Sequence, residues 1–146
     1  MPEPQHPPLR TPREVLARFY RAMVDKSADD LADLYALDAV HEFPFAVPGF
    51  PPRYEGREAV RAGYRVVWGG SPVRVDEIRK VAAYETVEPG VIVAEHVVVG
   101  SLPHRSTPPR RTAITVPGLL VLHVHDGLIT RARDYMDGSG VAAARE

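Results

Sequence analysis

The second half of the chain is predicted to form four long β-strands joined by short turns. These strands are rich in β-branched residues and run over Val73–Val87, Val91–His104, Arg110–His125 and Leu128–Asp137. The turns are Glu88-Pro89-Gly90, a proline-containing turn near Ser106–Pro109, and Asp126-Gly127. Because Asp-Gly is a strong two-residue hairpin signal, consecutive strands are expected to pair as an antiparallel meander.

The first half is predicted to be mainly helical. Thr11 can cap a helix whose first position is Pro12, and Glu14 completes a capping box. The apolar residues at helical spacing are Val15, Leu16, Phe19, Tyr20 and Met23, then Leu31, Leu34 and Tyr35, then Val60, Tyr64, Val67 and Trp68. A strand is predicted over Asp38–Phe45, followed by a rigid proline-rich loop. Three helices and a meander predict an α+β fold.

One domain is predicted over residues 11–146, preceded by a proline-rich, disordered lead-in over residues 1–10. The chain has 146 residues, a net charge of −1 and no cysteine. Disulfides, zinc–thiolate sites and thiol catalysis are therefore excluded. Neither a nucleic acid nor a membrane partner is favoured by this charge. Because no apolar run has membrane-spanning length and no signal-peptide core is present, a cytoplasmic protein is expected.

The final strand carries a carboxylate where an apolar residue is expected. Ala132, Asp134 and Met136 share one face. A carboxylate in such a row is costly unless it is paired, hydrogen-bonded or used in chemistry. Asp134 is therefore the best functional candidate in the sequence. The structural alternative is a buried aspartate satisfied by Arg110 or by a backbone amide.

Both faces of the strand beginning at Val91 are apolar, with Ile92, Ala94 and Val98 on one and Val91, Val93, Val97 and Val99 on the other. In an antiparallel sheet one face normally meets water. Helices can cover one of these faces. A homodimer through the outer sheet face is expected to cover the other.

Two histidines are spaced as a His-x-His pair at His123 and His125, a spacing that can bind metal. However, Leu120 and Leu122 have the inward parity, so both histidines are expected to lie outside the sheet. No metal site and no organic cofactor are predicted.

Several motifs together resemble one known family. They are Leu34-Tyr35-Ala36-Leu37-Asp38-Ala39-Val40, Tyr54-Glu55-Gly56-Arg57-Glu58-Ala59-Val60, and Asp126-Gly127-Leu128-Ile129 running into Arg133-Asp134-Tyr135-Met136-Asp137. The chain resembles the SnoaL-like polyketide cyclases of the nuclear transport factor two-like, or ketosteroid isomerase-like, superfamily over about residues 12–144. The resemblance implies a cone-shaped, curved mixed or antiparallel sheet wrapped around three N-terminal helices. The reaction is not fixed by this fold.

The cyclases of this family use an aspartate near the end of the final strand, aided by a histidine. By resemblance, Asp134 or the second choice Asp137 would be the acid/base, with His96 or His123 as its helper. A hydrophobic cyclic or polyketide-like substrate is implied. His96, on an apolar strand face, could hydrogen-bond or orient Asp134, or be a satisfied core residue.

Limonene-type epoxide hydrolases of the same superfamily use an aspartate–arginine–aspartate set. Asp134 matches one of these acids, whereas His96 stands for the arginine and Val98 for the second acid. Their water-binding tyrosine and asparagine correspond to His41 and Phe43. An epoxide hydrolase with an altered triad is thus an alternative, and a non-catalytic ligand-binding or accessory protein is another.

The ketosteroid isomerase pattern is largely missing. Phe43 occupies the position of its proton-shuttling aspartate, Leu120 that of its oxyanion-hole acid, and Phe19 or Tyr20 that of its tyrosine. The predicted pocket for a hydrophobic small molecule consists of Tyr20, His41, Phe43, Trp68, Val98, Leu120 and Met136. A rim position without a role is the alternative for His41. A core position is the alternative for Tyr20 and Trp68.

Overall fold

A computed structural model describes residues 8–104 and 110–138. Within them, three helices precede most of the sheet: α1 Pro12–Asp25, α2 Ala28–Ala32 and α3 Arg57–Gly70. The N-terminus of α1 is capped as predicted, because Oγ1 of Thr11 accepts a hydrogen bond from the Glu14 N–H at 3.2 Å.

Six strands form one sheet: β1 Tyr35–Glu42, β2 Arg53–Glu55, β3 Arg74–Glu85, β4 Val91–His104, β5 Arg110–His125 and β6 Leu128–Met136. The spatial order is β2-β1-β6-β5-β4-β3. The last four strands form the predicted antiparallel meander, and β1 joins it by pairing in parallel with β6. The sheet is therefore mixed, and the expected α+β fold is confirmed.

The core lies between the helices and the inner face of the sheet. Val15 and Phe19 of α1 and Val60 of α3 pack with Ile92 and Leu122 from the sheet. Between β5 and β6, Leu120 lies opposite Asp134. Between β4 and β5, Leu120 lies opposite Ala94, and Gly118 lies opposite His96. The inner face therefore carries polar side chains on several neighbouring strands.

The first strand differs from its prediction. It begins at Tyr35 instead of Asp38, because α2 ends at Ala32 and Tyr35 already pairs with Ile129 of β6. It ends at Glu42, although the Phe43 N–H still donates to the Pro52 carbonyl at 2.9 Å. A short strand, β2, also follows the prolines and pairs antiparallel with β1, where only a loop was predicted.

Part of the predicted lead-in and the turn near Ser106–Pro109 lie outside the described residues. Pro8 and Leu9 are exposed, and no helix in the described part of the chain has the length and apolar character needed to cross a membrane. On the outer sheet face, Val97 and Val99 are half-buried. A homodimer through this face stays a prediction.

Candidate active site

Asp134 is a buried carboxylate on the inner face of the sheet. It is 5% exposed, and the other buried polar residues in the described segments are His41, His96 and Ser101. No other carboxylate in those segments is buried. Because an unpaired buried charge is costly, the partners of Asp134 decide what the site can do.

The partners of Asp134 are His41 and Tyr64. Nε2 of His41 lies 3.1 Å from Oδ2 of Asp134, and the Tyr64 hydroxyl donates to the same oxygen at 3.3 Å. The Tyr64 oxygen is also 3.2 Å from Nε2 of His41. His41 is therefore not a rim residue, because it is 0% exposed and directly holds the carboxylate. Asp134 is therefore bound by His41 and Tyr64, and not by Arg110 or a backbone amide as the structural alternative predicted.

A second tyrosine determines which tautomer His41 adopts. Oη of Tyr35 lies 2.6 Å from Nδ1 of His41, and both residues are 0% exposed. Burial, followed by the charge of Asp134, raises the pKa of Tyr35 well above its ordinary value. Tyr35 therefore keeps its proton and can donate it to Nδ1. When Nδ1 accepts from Tyr35, Nε2 carries the imidazole proton and donates to Asp134.

A similar pair lies on the other side of Asp134. Oη of Tyr20 lies 3.3 Å from Nδ1 of His96. Burial and the charge of Asp134 raise the pKa of Tyr20 to about 12. Burial lowers the pKa of His96 below its ordinary 6.5, while Asp134 acts in the opposite direction. When the Tyr20 hydroxyl donates to Nδ1, the proton of the neutral imidazole lies on Nε2.

Gly118 gives the His96 ring its space. A Cβ atom at this position would lie 2.9 Å from Nε2 and 3.3 Å from Cε1 of His96. Gly118 faces His96 in the β4–β5 ladder, so the absent side chain is what lets the imidazole lie across β5. His96 thus hydrogen-bonds Tyr20, and not Asp134 as was predicted.

Aromatic rings surround the His41–Asp134 pair. The ring of His41 lies 4.8 Å from Phe43, which lies 4.9 Å from Phe50. Tyr64 lies 4.7 Å from Trp68, measured between ring centroids. Of the predicted pocket residues, Tyr20, His41 and Phe43 are therefore close to the buried polar groups, and Trp68 reaches them through Tyr64.

The remaining predicted residues lie around this centre. Leu120 is 1% exposed opposite Asp134, and Met136 is half-buried opposite Gly118. Val98 is half-buried farther along β4. Asp137 is exposed after the end of β6, and its N–H donates to the Pro117 carbonyl at 3.1 Å.

The two histidines of the His-x-His pair lie away from the buried site. His123 is half-buried and His125 is exposed, while Leu120 and Leu122 point into the core, as the parity predicted. In residues 8–104 and 110–138, no group of three or more histidine and carboxylate side chains is arranged to hold a metal ion.

Two residues of the buried network, Tyr35 and Tyr64, were interpreted from the sequence only as apolar helix positions. Tyr35 begins a strand, and the alternation of Ala39, His41 and Phe43 could have placed His41 on the inward face beside it. The contact between Tyr64 and Asp134 joins residues 70 positions apart, so no local pattern indicates it.

Two surface cavities, of about 320 and 560 Å³, lie elsewhere. Neither is lined by Asp134, His41 or His96. The smaller is lined by Trp68 and by residues where α1, α2 and α3 meet. Asp134 itself is only 5% exposed, so surrounding side chains cover most of it.

Comparison with known proteins identifies the class. Residues 16–132 match the SnoaL-like domain family, and the chain belongs to that family. Its sequence is 27% identical over 122 residues to the uncharacterised protein YesE of Bacillus subtilis (strain 168), covering 84% of this chain and 78% of YesE.

Solved structures share the fold. A proposed isomerase from Bacillus subtilis superposes with a TM-score of 0.75 at 24% identity, covering 90% of each chain. A proposed polyketide cyclase from Xanthomonas campestris pv. campestris superposes with a TM-score of 0.67 at 21% identity, covering 89% of this chain and 96% of that one. At these identities the likeness establishes the fold alone.

Proposed function

We propose that the protein is a small-molecule enzyme of cyclase or isomerase type, in which Asp134 is the general acid/base. The observation that carries this proposal is the buried carboxylate held by His41 and Tyr64 beside the Tyr20–His96 pair. Perturbed titratable groups brought together in an apolar interior are typical of sites that transfer protons. Membership of a family that includes polyketide cyclases supports the same class.

The roles follow from the hydrogen bonds. Both donors to Asp134 bind Oδ2, so Oδ1 is the oxygen that would remove a proton from a carbon next to a carbonyl group. Nε2–H of neutral His96 would donate to the carbonyl oxygen as negative charge develops there. His41 is a positioning residue, because it is fully buried and acts through Asp134.

The substrate is proposed to be a hydrophobic cyclic or polyketide-like ketone. The aromatic rings of Phe43, Phe50 and Tyr64 near Asp134 support an apolar ligand. The chemistry requires a proton acceptor and a donor, which the side chains themselves provide. It therefore needs no added cofactor.

The test measures exchange of the α-protons of 2-tetralone in D₂O by NMR, with wild type, Asp134→Asn, Asp137→Asn and Asp126→Asn. Asparagine can still accept hydrogen bonds from His41 and Tyr64, so the fold should be kept. We expect Asp134→Asn to slow exchange by roughly 10²–10⁴-fold. Asp137→Asn and the exposed turn variant Asp126→Asn should match wild type.

Two results would contradict the proposal. One is wild-type exchange no faster than in buffer, and the other is Asp134→Asn within about twofold of wild type. Either would favour a non-catalytic ligand-binding protein in which Asp134 only completes a buried network. A large effect of Asp137→Asn alone would instead transfer the role to the second carboxylate.

A further inference from the structure

The cavity of about 320 Å³ lies where the three helices meet, and its lining includes Lys26, Asp29, Arg65 and Trp68. Trp68 connects it to the candidate active site. Its ring packs on Tyr64 at 4.7 Å, and the Tyr64 hydroxyl donates to Asp134. One aromatic ring thus belongs both to the wall of the cavity and to the packing around the carboxylate.

The positive charge in this cavity is incompletely neutralised. Asp29 is already bound by Arg61 at 2.7 Å and by Arg65 at 2.8 Å. Lys26 instead donates to the Ser71 carbonyl at 3.3 Å, and the nearby Arg111 donates to Ser101. Burial and the charge of Arg111 both lower the pKa of Lys26, so this ammonium would gain from a negatively charged partner.

The backbone at Lys26 adds a second observation. Lys26 ends α1 in the left-handed conformation, with φ of 51° and ψ of 40°. Glycine or asparagine adopts this conformation at lower cost than lysine. The chain therefore has a lysine at a position where the local backbone favours another residue, and this lysine lines the cavity.

We propose that this cavity is a subsite for the carboxylate of an aromatic or cyclic acid, bound by Lys26 with its ring against Trp68. An ammonium beside an indole can bind a carboxylate and the flat apolar body attached to it. This inference rests on the proposed function and adds a carboxylate to the proposed substrate class.

Trp68 and Lys26 make the test specific. Trp68 is the only tryptophan in the chain, so the single indole N–H resonance comes from the wall of this cavity, and the Lys26 variants test whether a shift arises there. Lys80, on β3, is the only other lysine and provides a matched control. The probes are naphthalene-2-carboxylate and its neutral amide, naphthalene-2-carboxamide, titrated against ¹⁵N-labelled protein.

We expect the carboxylate to shift the Trp68 resonance saturably and to bind about tenfold more tightly than the amide, as a charged hydrogen bond implies. Lys26→Gln should reduce carboxylate affinity to that of the amide, whereas Lys80→Gln should leave it unchanged. Lys26→Arg should retain most of the preference. Lys26→Gly should lose it while relieving the left-handed backbone, which separates loss of charge from loss of fold.

Equal affinity for acid and amide, unchanged affinity in Lys26→Gln, or no saturable shift at millimolar probe would overturn the subsite. Asp134→Asn should bind the carboxylate within about twofold of wild type, because it leaves Lys26 intact. Failure of probe binding with Asp134-dependent 2-tetralone exchange preserved would reject the subsite alone. Probe binding without that exchange would reject the proposed reaction alone.

Discussion

Two tyrosine–histidine pairs lie on the inner face of the same sheet, and their surroundings differ. In the Tyr35–His41 pair the hydroxyl lies 2.6 Å from Nδ1, both residues are 0% exposed, and Nε2 faces Asp134. In the Tyr20–His96 pair the distance is 3.3 Å, and the Nε2 side of the ring faces Gly118.

Because of this difference, the two histidines can have separate roles: one holds the carboxylate and the other can contact a ligand. His41 uses both nitrogens within the protein, so it fixes the carboxylate and cannot also contact a ligand. In His96 the described residues bind only Nδ1, so Nε2 is the ring nitrogen left for a ligand. A rigid supporting group and an accessible donor are both needed for preorganised chemistry.

The largest effect should come from removing His41. His41→Ala leaves Asp134, Tyr35 and Tyr64 without their common partner and opens a cavity, so we expect a loss of about 3–5 kcal/mol in the free energy of unfolding by urea. His96→Ala breaks one longer hydrogen bond and should cost about 1–3 kcal/mol.

A double variant sharpens that result. Because His41→Ala takes one of the two hydrogen-bond partners from the buried Asp134, His41→Ala combined with Asp134→Ala should cost less than the sum of the two single losses. Exact additivity, or equal losses for His41→Ala and His96→Ala, would show that the two pairs do not differ as proposed. His125→Ala, at an exposed position, should remain within about 0.5 kcal/mol of wild type.

The next effect should come from Gly118→Ala. Its Cβ would lie 2.9 Å from Nε2 of His96, so the ring must move, at an expected cost of about 1–3 kcal/mol. Gly69→Ala is the matched control, because a Cβ there meets nothing within 4 Å and Gly69 lies in α3. The control should be about 0.5–1 kcal/mol more stable than wild type.

A crystal structure of Gly118→Ala would show the displaced imidazole directly. If the variant is as stable as wild type and His96 keeps its bond to Tyr20, the close approach of glycine and imidazole is not what fixes the ring.

The elements that the sequence predicted best are those with a local signal. The bounds of β4 and β5 agree with the predicted Val91–His104 and Arg110–His125, because period-two alternation ends at turn residues. The capped start of α1 was predicted from three neighbouring residues. The polar residue on the inner face of β6, Asp134, was found from the same alternation.

Its partners could not be found in this way. The bond between His41 and Asp134 joins residues 93 positions apart, and it depends on the parallel pairing of β1 with β6. The register of that pairing shifts between Tyr35 and Val40, so the partner of His41 on β6 cannot be counted from the pairing of Tyr35 with Ile129. The Tyr20–His96 contact spans 76 positions and likewise exists only after the helix packs on the sheet.

A third and smaller effect should distinguish the two hydroxyls. Tyr35→Phe leaves the fully buried Nδ1 of His41 without a donor and should cost about 1–2 kcal/mol. Tyr20→Phe removes a longer bond and should cost about 0.5–1.5 kcal/mol. Tyr84→Phe, at an exposed position on β3, is the control and should change nothing measurable.

The imidazole ¹⁵N shifts provide the diagnostic measurement. In wild type, both His41 and His96 should show the Nε2–H tautomer. Tyr35→Phe should release that restraint at His41 only, and Tyr20→Phe at His96 only. A wild-type Nδ1–H tautomer at either histidine would contradict the direction of donation that the network requires.

The smallest effect concerns pH. Burial lowers the pKa of His96 below 6.5, so the unfolded chain takes up a proton at this histidine more readily than the folded protein. The lowered pKa of His96 therefore reduces the free energy of unfolding as pH falls below about 6.5, by no more than about 1.4 kcal/mol per pH unit. Above that pH the full stability is present.

Urea midpoints measured between about pH 5 and 7 should thus fall more steeply with acidification in wild type than in His96→Gln. His125→Gln, whose histidine is exposed, should follow wild type across the range. If His96→Gln and wild type have parallel profiles, His96 is protonated equally in both states. Burial would then not favour the neutral ring in the folded protein, and the proposed role of His96 as a neutral donor, in contrast to the enclosed His41, would lose its support.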